Sequence, residues 1–275
     1  MKHKVLSYVL IGTLFFMGTA LVLYPIVSNM LAQREHLATI NKYDELAAEM
    51  EEQQKEEELQ KARAYNDALT GSGIDDPFTP ESGIVLSDNY TSVLDFNDGT
   101  IGYIEIPAID VYYPIYHGTS ARVLSMGVGH MENTAFPIGG EGNHTVLTGH
   151  TGLSSARLFT DLDKLEPEDI FYITVLDTTI AYEVDQILVV TPDDTGELMP
   201  VAGEDHVTLV TCTPYGINSH RLLVRGTRIP YTEEMDRSLT ELMPVWLIVL
   251  VAAALLIVLV TIICSVRKYR KKRDK

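Results

Sequence analysis

The sequence predicts an all-β domain, a small closed or nearly closed β-barrel with short helices, flanked by a transmembrane helix at each end. From Ile101 to Ile229, short runs rich in Val, Ile, Tyr and Thr alternate with Gly, Pro, Asn and Asp, a pattern typical of strands joined by turns. Two uncharged apolar stretches, at 5–27 and 245–264, are each long enough to cross a hydrocarbon core about 30 Å thick.

The charges beside the two apolar stretches predict their orientation. Lys2 and Lys4 lie in the short N-terminal segment 1–4, and the tail 265–275 is strongly basic. Because positive flanks favour the cytoplasm, we expect both ends of the chain inside and the middle outside. A cleaved signal peptide is the alternative for 5–27, but the stretch is long for one and no clear A-x-A site follows it.

The segments between the spans differ in composition. Residues 28–70 are rich in Glu, Gln, Lys and Ala, which predicts a solvated juxtamembrane helix that spaces the domain from the bilayer. A proline-containing loop follows within 71–90, and the barrel is expected over 91–232. Short helices are expected at 154–158 and at 233–244, the latter linking the barrel to the second span.

Composition excludes some classes of function. The chain is acidic, with a formal net charge of −17, which disfavours binding to a phosphate backbone. The basic tail directly follows a span, so membrane topology and anionic lipids account for it better than nucleic acid does. The histidines are scattered and no second cysteine lies between the spans, so we expect neither a metal nor another cofactor.

The two cysteines lie on opposite sides of the predicted membrane. Cys264 stands at the inner end of the second span, and Cys212 lies in the external region. They therefore cannot pair, although the external compartment favours disulfides. A lone external thiol is either a buried, inert residue or a catalytic one.

The residues around Cys212 favour a catalytic thiol. Two strand-like runs flank the turn TPYGINSH, so a hairpin would bring Cys212 and Arg221 within reach of each other. A nearby cation raises the thiolate population. Arg221 cannot serve as a base, but it can hold carbonyls and stabilise an oxyanion.

A histidine is the expected acid and base. His150 follows the strand-like run HTVLTG and so projects at a rim of the barrel. His144 lies within that run and suits a structural role, while His206 and His220 are nearer the far strand end or the turn. On pattern alone, His150 is one candidate among several.

A family resemblance distinguishes between these candidates. The segment 208–226 resembles the signature of sortases, in particular the class C, pilin-polymerising type. The T-L-x-T-C, T-G-H and arginine motifs of that family match Thr208, Leu209, Thr211 and Cys212, then Thr148, Gly149 and His150, then Arg221. The similarity covers roughly Leu69 to Ile229.

The resemblance implies an eight-stranded barrel and a cysteine transpeptidase on the outer face of a Gram-positive cell membrane. Cys212, His150 and Arg221 would be catalytic, and Thr211 would contact substrate. The implied partners are pilin subunits or surface proteins with an LPXTG-like sorting signal, cleaved between Thr and Gly. The acceptor would be a pilin lysine amine or a cell-wall peptide amine.

The resemblance also suggests a lid over the active site. Class C sortases carry an Asp-Pro-aromatic lid, which corresponds here to Asp76, Pro77 and Phe78. Asp76 would pair with Arg221 while Phe78 covers Cys212; an ordinary Asx-Pro turn is the alternative. Two positions depart from the family pattern: Thr151, where Arg is common, and Ser219, where Thr is usual.

Three alternatives to the pilin-polymerising enzyme stay open. One is a sortase that anchors surface proteins to cell-wall peptide, against which the lid and the second span argue. Another is a hydrolytic cysteine peptidase, in which water replaces the amine. The third is a non-catalytic, membrane-tethered binding module with an inert thiol.

Overall fold

The computed structural model describes residues 2–71, 73–79, 85–96, 99–153 and 156–232. The predicted linker helix at 233–244, the second span at 245–264 with Cys264, and the basic tail at 265–275 lie outside these residues. So does part of the loop within 71–90.

Eight strands form a closed barrel, which confirms the predicted all-β fold. The strands are β1 Thr100–Ile106, β2 Val111–His117, β3 Val128–His130, β4 Asn143–Thr148, β5 Ile170–Val175, β6 Thr178–Val190, β7 Asp205–Thr213 and β8 His220–Ile229. Their order around the barrel is β1-β2-β3-β4-β7-β8-β6-β5. The pairs β2–β3 and β4–β7 are parallel, and the others are antiparallel.

Strand β7 is buried on both faces, because apolar side chains alternate between two clusters. Leu209 and its neighbour Leu147 on β4 belong to the main core, whereas Val210 and Val146 belong to a second cluster that includes Ile74. Successive side chains of a strand point to opposite faces, so the two clusters lie on opposite sides of the sheet. The loop before the barrel therefore packs over β4 and β7.

In the part of the chain that the structure describes, four helices accompany the barrel: α1 Lys2–Glu49, α2 Glu52–Ala68, α3 Asp88–Thr91 and α4 Ala121–Met126. Short 3-10 helices cover Pro107–Ile109, Leu162–Lys164 and Gly196–Leu198. Within the described residues, one stretch, the helical segment Gly12–Glu49, is long and apolar enough to cross a membrane. An N-terminal helix of that kind is also what a signal sequence provides.

Residues 28–70 were expected to form one solvated helix, and the structure differs. The helix is interrupted between α1 and α2, where Glu51 and Gln54 form a capping box. Asn66 on α2 donates to the Phe136 carbonyl at 3.2 Å and accepts from the Phe136 amide at 2.8 Å. The expected solvation is therefore wrong for one face, because polar side chains within the acidic run pair with the barrel domain.

The short helix predicted at 154–158 is also wrong over its described residues, 156–158. Leu158 has a φ of 40°, a left-handed conformation that an α-helix does not accommodate. A turn leads from there into the 3-10 helix Leu162–Lys164.

Candidate active site

Cys212 and Arg221 lie directly opposite each other on the antiparallel strands β7 and β8. The intervening loop closes with amides of Ile217 and Asn218 donating to the Pro214 carbonyl, both at 3.0 Å. Opposed residues of an antiparallel pair point to the same face, with Cβ atoms about 5 Å apart. Both side chains are mostly buried, with 8% of each residue exposed.

His150 reaches the same edge from the other side of β7. Strands β4 and β7 are parallel and pair Thr148 with Val210, so His150 and Cys212 each stand two residues beyond a paired position. The Gly149 amide donates to the Val210 carbonyl at 3.1 Å, and the Phe159 amide donates to the His150 carbonyl at 3.1 Å. The three predicted catalytic side chains therefore gather around the end of β7.

A chain of hydroxyl groups joins the residues that flank the histidine and the thiol. Thr211, which is buried, donates its hydroxyl to the Gly149 carbonyl at 2.7 Å. Since that bond uses its only proton, Thr151 donates to Thr211 Oγ1 at 2.6 Å. Thr211 was expected to contact substrate; here its hydroxyl ties β7 to β4. No sequence signal indicated the role of Thr151, which depends on the segment after β4 meeting strand β7.

The loop residues 76–78 lie over this edge. Asp76 accepts two hydrogen bonds from Arg221, from Nε and from Nη2, each 2.7 Å long. The Phe78 ring centroid lies 5.1 Å from Arg221 Cζ and 5.7 Å from the His150 ring centroid. Pro77 sits in the turn that these residues form, in which the Thr79 amide approaches the Asp76 carbonyl at 3.4 Å. The described ring contacts of Phe78 are thus with the arginine and the histidine.

Each nitrogen of the Arg221 guanidinium has a hydrogen-bond partner. Its remaining nitrogen, Nη1, donates to the carbonyls of Asn218 and His220 at 3.1 and 3.0 Å. Asn218 is in the left-handed region, with a φ of 58°, which turns its carbonyl toward the arginine. Sequence reasoning identified this loop as a turn but not its role in holding the guanidinium.

Burial keeps the thiol and the imidazole neutral in this arrangement. It raises the pKa of Cys212; the Arg221 guanidinium opposes the rise, and the Asp76 carboxylate adds to it. Burial also lowers the pKa of His150. The expected thiolate is therefore disfavoured while Asp76 neutralises the cation.

The other candidate histidines make contacts elsewhere, and His144 is held in a structural role. His144 is buried, with Nε2 2.7 Å from Thr208 Oγ1 and Nδ1 3.0 Å from the Met199 carbonyl oxygen. Burial lowers its pKa to about 4, as expected for a histidine that stays neutral. His206 packs against it with ring centroids 5.6 Å apart, and His220 contacts Ser219 Oγ at 2.9 Å.

Two cavities adjoin the site. The larger, about 740 Å³, is lined by the loop residues Asp75, Asp76 and Thr79. The smaller, about 230 Å³, is lined by Cys212 and by residues of the segment that follows His150. The thiol thus borders a cavity that residues 75–79 do not line.

Comparison with known proteins agrees with this geometry. A family model described as "Sortase domain" matches residues 104–229. Sortase C-1 from Streptococcus pneumoniae is 44% identical, with a TM-score of 0.68, over 71% of this chain and 100% of that one. A pilus-related sortase C of Group B Streptococcus is 43% identical, with a TM-score of 0.66, over 70% of this chain and 97% of that one.

Curated relatives match over a shorter length. Sortase A of Bacillus anthracis is 30% identical over 126 residues, which is 46% of this chain and 58% of that protein. Across the curated relatives, the match spans between 41% and 63% of their length. The structural relatives match over nearly their full length and above 40% identity. The chain therefore belongs to the sortase family and, by these structural relatives, to its class C.

Proposed function

We propose that this protein is a membrane-anchored cysteine transpeptidase that polymerises pilins. Its substrate would carry an LPXTG-like sorting signal, cleaved between Thr and Gly, and its acceptor would be a lysine amine of a pilin subunit. The observation that carries the proposal is the convergence of Cys212, Arg221 and His150 at one edge of the barrel. Membership of class C supports the pilin as partner.

In the first half-reaction, the Cys212 thiolate attacks the threonine carbonyl carbon of the sorting signal. Arg221 stabilises the negative charge that develops on the carbonyl oxygen. As imidazolium, His150 gives its proton to the departing glycine nitrogen. The C–N bond breaks, leaving a thioester between the threonine carbonyl and Cys212.

In the second half-reaction, an amine attacks that thioester. A C–N bond forms, the C–S bond breaks, and His150 accepts the proton that the amine loses. The thiol and the imidazole exchange a proton between them, so they titrate as a coupled pair. The product with a lysine amine is an isopeptide bond.

Asp76, Pro77 and Phe78 would form a lid that opens before the sorting signal binds. Asp76 occupies two donors of Arg221, and Phe78 lies against both Arg221 and His150. A substrate carbonyl needs the same donors, so lid and substrate compete for them. Opening would also remove the carboxylate that raises the pKa of Cys212, which activates the thiol.

The proposed location is the outer face of a Gram-positive cell membrane, with both termini in the cytoplasm. The apolar helical segment Gly12–Glu49 supports an N-terminal anchor. The intact mass of the protein purified from membranes tests this part of the proposal. A mass that lacks residues 1–27 would mean that a signal peptide is removed.

The decisive experiment incubates the full chain with a sorting-signal peptide, followed by a pilin subunit. We expect a thioester adduct on Cys212 by mass spectrometry, absent in Cys212→Ala, and then a crosslinked pilin product. Hydrolysed peptide without crosslinks would indicate a peptidase. Preference for a cell-wall peptide amine would indicate a wall-anchoring sortase. No adduct and a thiol that resists alkylation even with the lid removed would indicate a binding module.

A further inference from the structure

We propose that the smaller cavity beside Cys212 admits the lysine side chain of the acceptor. This inference rests on the transpeptidase activity proposed above and locates its second substrate. We call this space the side cavity. Its lining includes Thr151, Phe159, Asp163, Cys212, Tyr215 and Leu222.

The two cavities offer two separate approaches to the reaction. The described loop residues Asp75, Asp76 and Thr79 line the larger cavity and none of them lines the side cavity. Of these two spaces, only the side cavity has Cys212 in its wall. A donor peptide that displaces the lid therefore leaves the side cavity free, so an amine can reach the thioester while the acyl group is still held.

The size of the side cavity suits a single side chain. Its volume is about 230 Å³, below the range of about 300–1,000 Å³ that is usual for small-molecule pockets. Lysine presents a compact ammonium on a flexible four-carbon stem, a slender shape that such a space accepts. The fully buried Phe159 and the mostly buried Leu222 offer apolar wall for the methylenes.

The rim of the side cavity carries groups that attract an ammonium. Asp161, Asp163 and Lys164 all line the cavity. Lys164 is paired with Asp161 at 2.8 Å, which leaves the exposed Asp163 as the further negative charge of the lining. Tyr215 is 68% exposed, and its ring lies so close to Gly152 that a Cβ there would stand 3.1 Å from it. The ring thus spans from the loop after β7 to the segment after His150. An aromatic face and a carboxylate are both favourable neighbours for a lysine ammonium.

The step balances without another reactant. The ammonium gives one proton to solvent at the rim and proceeds as a neutral amine. Its nitrogen forms a bond to the thioester carbon, the bond from that carbon to Cys212 Sγ breaks, and the amine's second proton passes through His150 to the thiolate. The products are an amide and the free thiol.

The test separates acylation from aminolysis. Full-length enzyme is first acylated with a sorting-signal peptide, and the rate of thioester formation is measured by mass spectrometry. Nα-acetyl-lysinamide is then added, and the products of aminolysis and hydrolysis are quantified. For Asp163→Lys we expect aminolysis to fall about fivefold, as for a two-unit change of charge at a partly screened position, with acylation unchanged. Tyr215→Ala should lower aminolysis by a similar factor.

Matched controls lie outside the side cavity. Ile217 is on the same loop as Tyr215 and is 71% exposed, but it does not line the side cavity. Glu183 is an exposed acid on β6. Ile217→Ala and Glu183→Lys should leave the ratio of aminolysis to hydrolysis unchanged.

Two results would overturn the inference while leaving the transpeptidase proposal intact. One is unchanged aminolysis in both side-cavity variants, and the other is an equal loss in the controls. Failure of wild-type enzyme and of a lid-deficient variant to form any thioester would instead refute the proposed function, and this inference with it.

Discussion

Asp76 holds Arg221 through two parallel hydrogen bonds of 2.7 Å, and both side chains are about nine-tenths buried. A paired carboxylate and guanidinium in this geometry form a strong, directional contact. The contact joins a loop outside the barrel to the strand that faces the thiol. It makes the reactivity of Cys212 depend on the position of that loop.

Removing this contact should activate the thiol. In Asp76→Ala, the carboxylate that raises the pKa of Cys212 is absent while Arg221 remains, so the thiol pKa falls. Alkylation of Cys212 should become faster, and its midpoint should move to lower pH. The matched control is Asp75→Ala, because Asp75 lines the same cavity without a bond to Arg221. Equal alkylation profiles for Asp76→Ala and wild type would contradict a role of the lid in controlling the thiol.

Replacing Arg221 with another cation should still lower the rate of acylation. Arg221→Lys keeps a cation but loses the planar fork, so we expect acylation to fall about 10²-fold or more. Arg225 on the same strand also makes a forked pair, with Asp185, at 3.0 and 2.7 Å. Arg225→Lys should therefore leave acylation within about twofold of wild type. Comparable losses in the two variants would point to strand stability rather than to oxyanion binding.

The bond between Thr151 and Thr211 should position His150. Thr151→Val removes the hydroxyl and keeps the shape, so the segment around His150 loses a tie to β7. We expect kcat for acylation to fall about tenfold, with a shifted pH profile and little change in KM. Thr151→Ser should restore kcat and the pH profile. A similar hydroxyl pair, Thr174 with Thr179 at 2.9 Å, provides the control. Thr179→Val should leave kcat for acylation and its pH profile unchanged.

The α1 helix should contribute to the stability of the barrel domain through one hydroxyl. Tyr43 is buried, donates to the Ile101 carbonyl at 2.8 Å and accepts from the Leu176 amide at 2.7 Å. Tyr43→Phe leaves both groups without this partner, so the free energy of unfolding should fall by about 1–3 kcal/mol. Urea unfolding of the detergent-solubilised chain measures it. The exposed Tyr215 serves as control, since Tyr215→Phe should change stability by less than about 0.5 kcal/mol.

The domain should lose stability as the pH falls below that at which free histidine titrates. Burial lowers the pKa of His130 to about 3 and that of His144 to about 4. The unfolded chain then binds more protons than the folded one, so the stabilisation is complete above about pH 6.5 and is lost as pH falls toward 4. Urea unfolding across this range should show the decline. His144→Gln should flatten it, and an unchanged slope would contradict the assignment.

Several features of the site could be predicted because they depend on neighbouring parts of the chain. The turn between β7 and β8 is short, so the sequence alone indicated that Cys212 and Arg221 would face each other. The strand-like run before His150 ends at a glycine, which indicated a position at a rim. The family motifs then distinguished His150 from His144, a choice that pattern alone left open.

Other features depend on contacts between distant segments and carry no local signal. The bond between Thr151 and Thr211 spans 60 positions and was not predicted. That between Arg221 and Asp76 spans 145 positions and was expected only from the family resemblance. The pairing of α2 with the barrel was missed for the same reason. Its acidic composition predicts solvation, while the few residues that reach the barrel, such as Asn66, are a small part of the helix.

The sequence by itself predicted the barrel class and the N-terminal apolar helix, because periodicity and length are local properties. Its family motifs singled out the candidate reactive groups. Only the tertiary structure decided the protonation of those groups and the routes to them. A pKa depends on burial and on charges brought from elsewhere, here Asp76 beside Arg221. A cavity exists only where separate loops leave space between them, as they do beside Cys212.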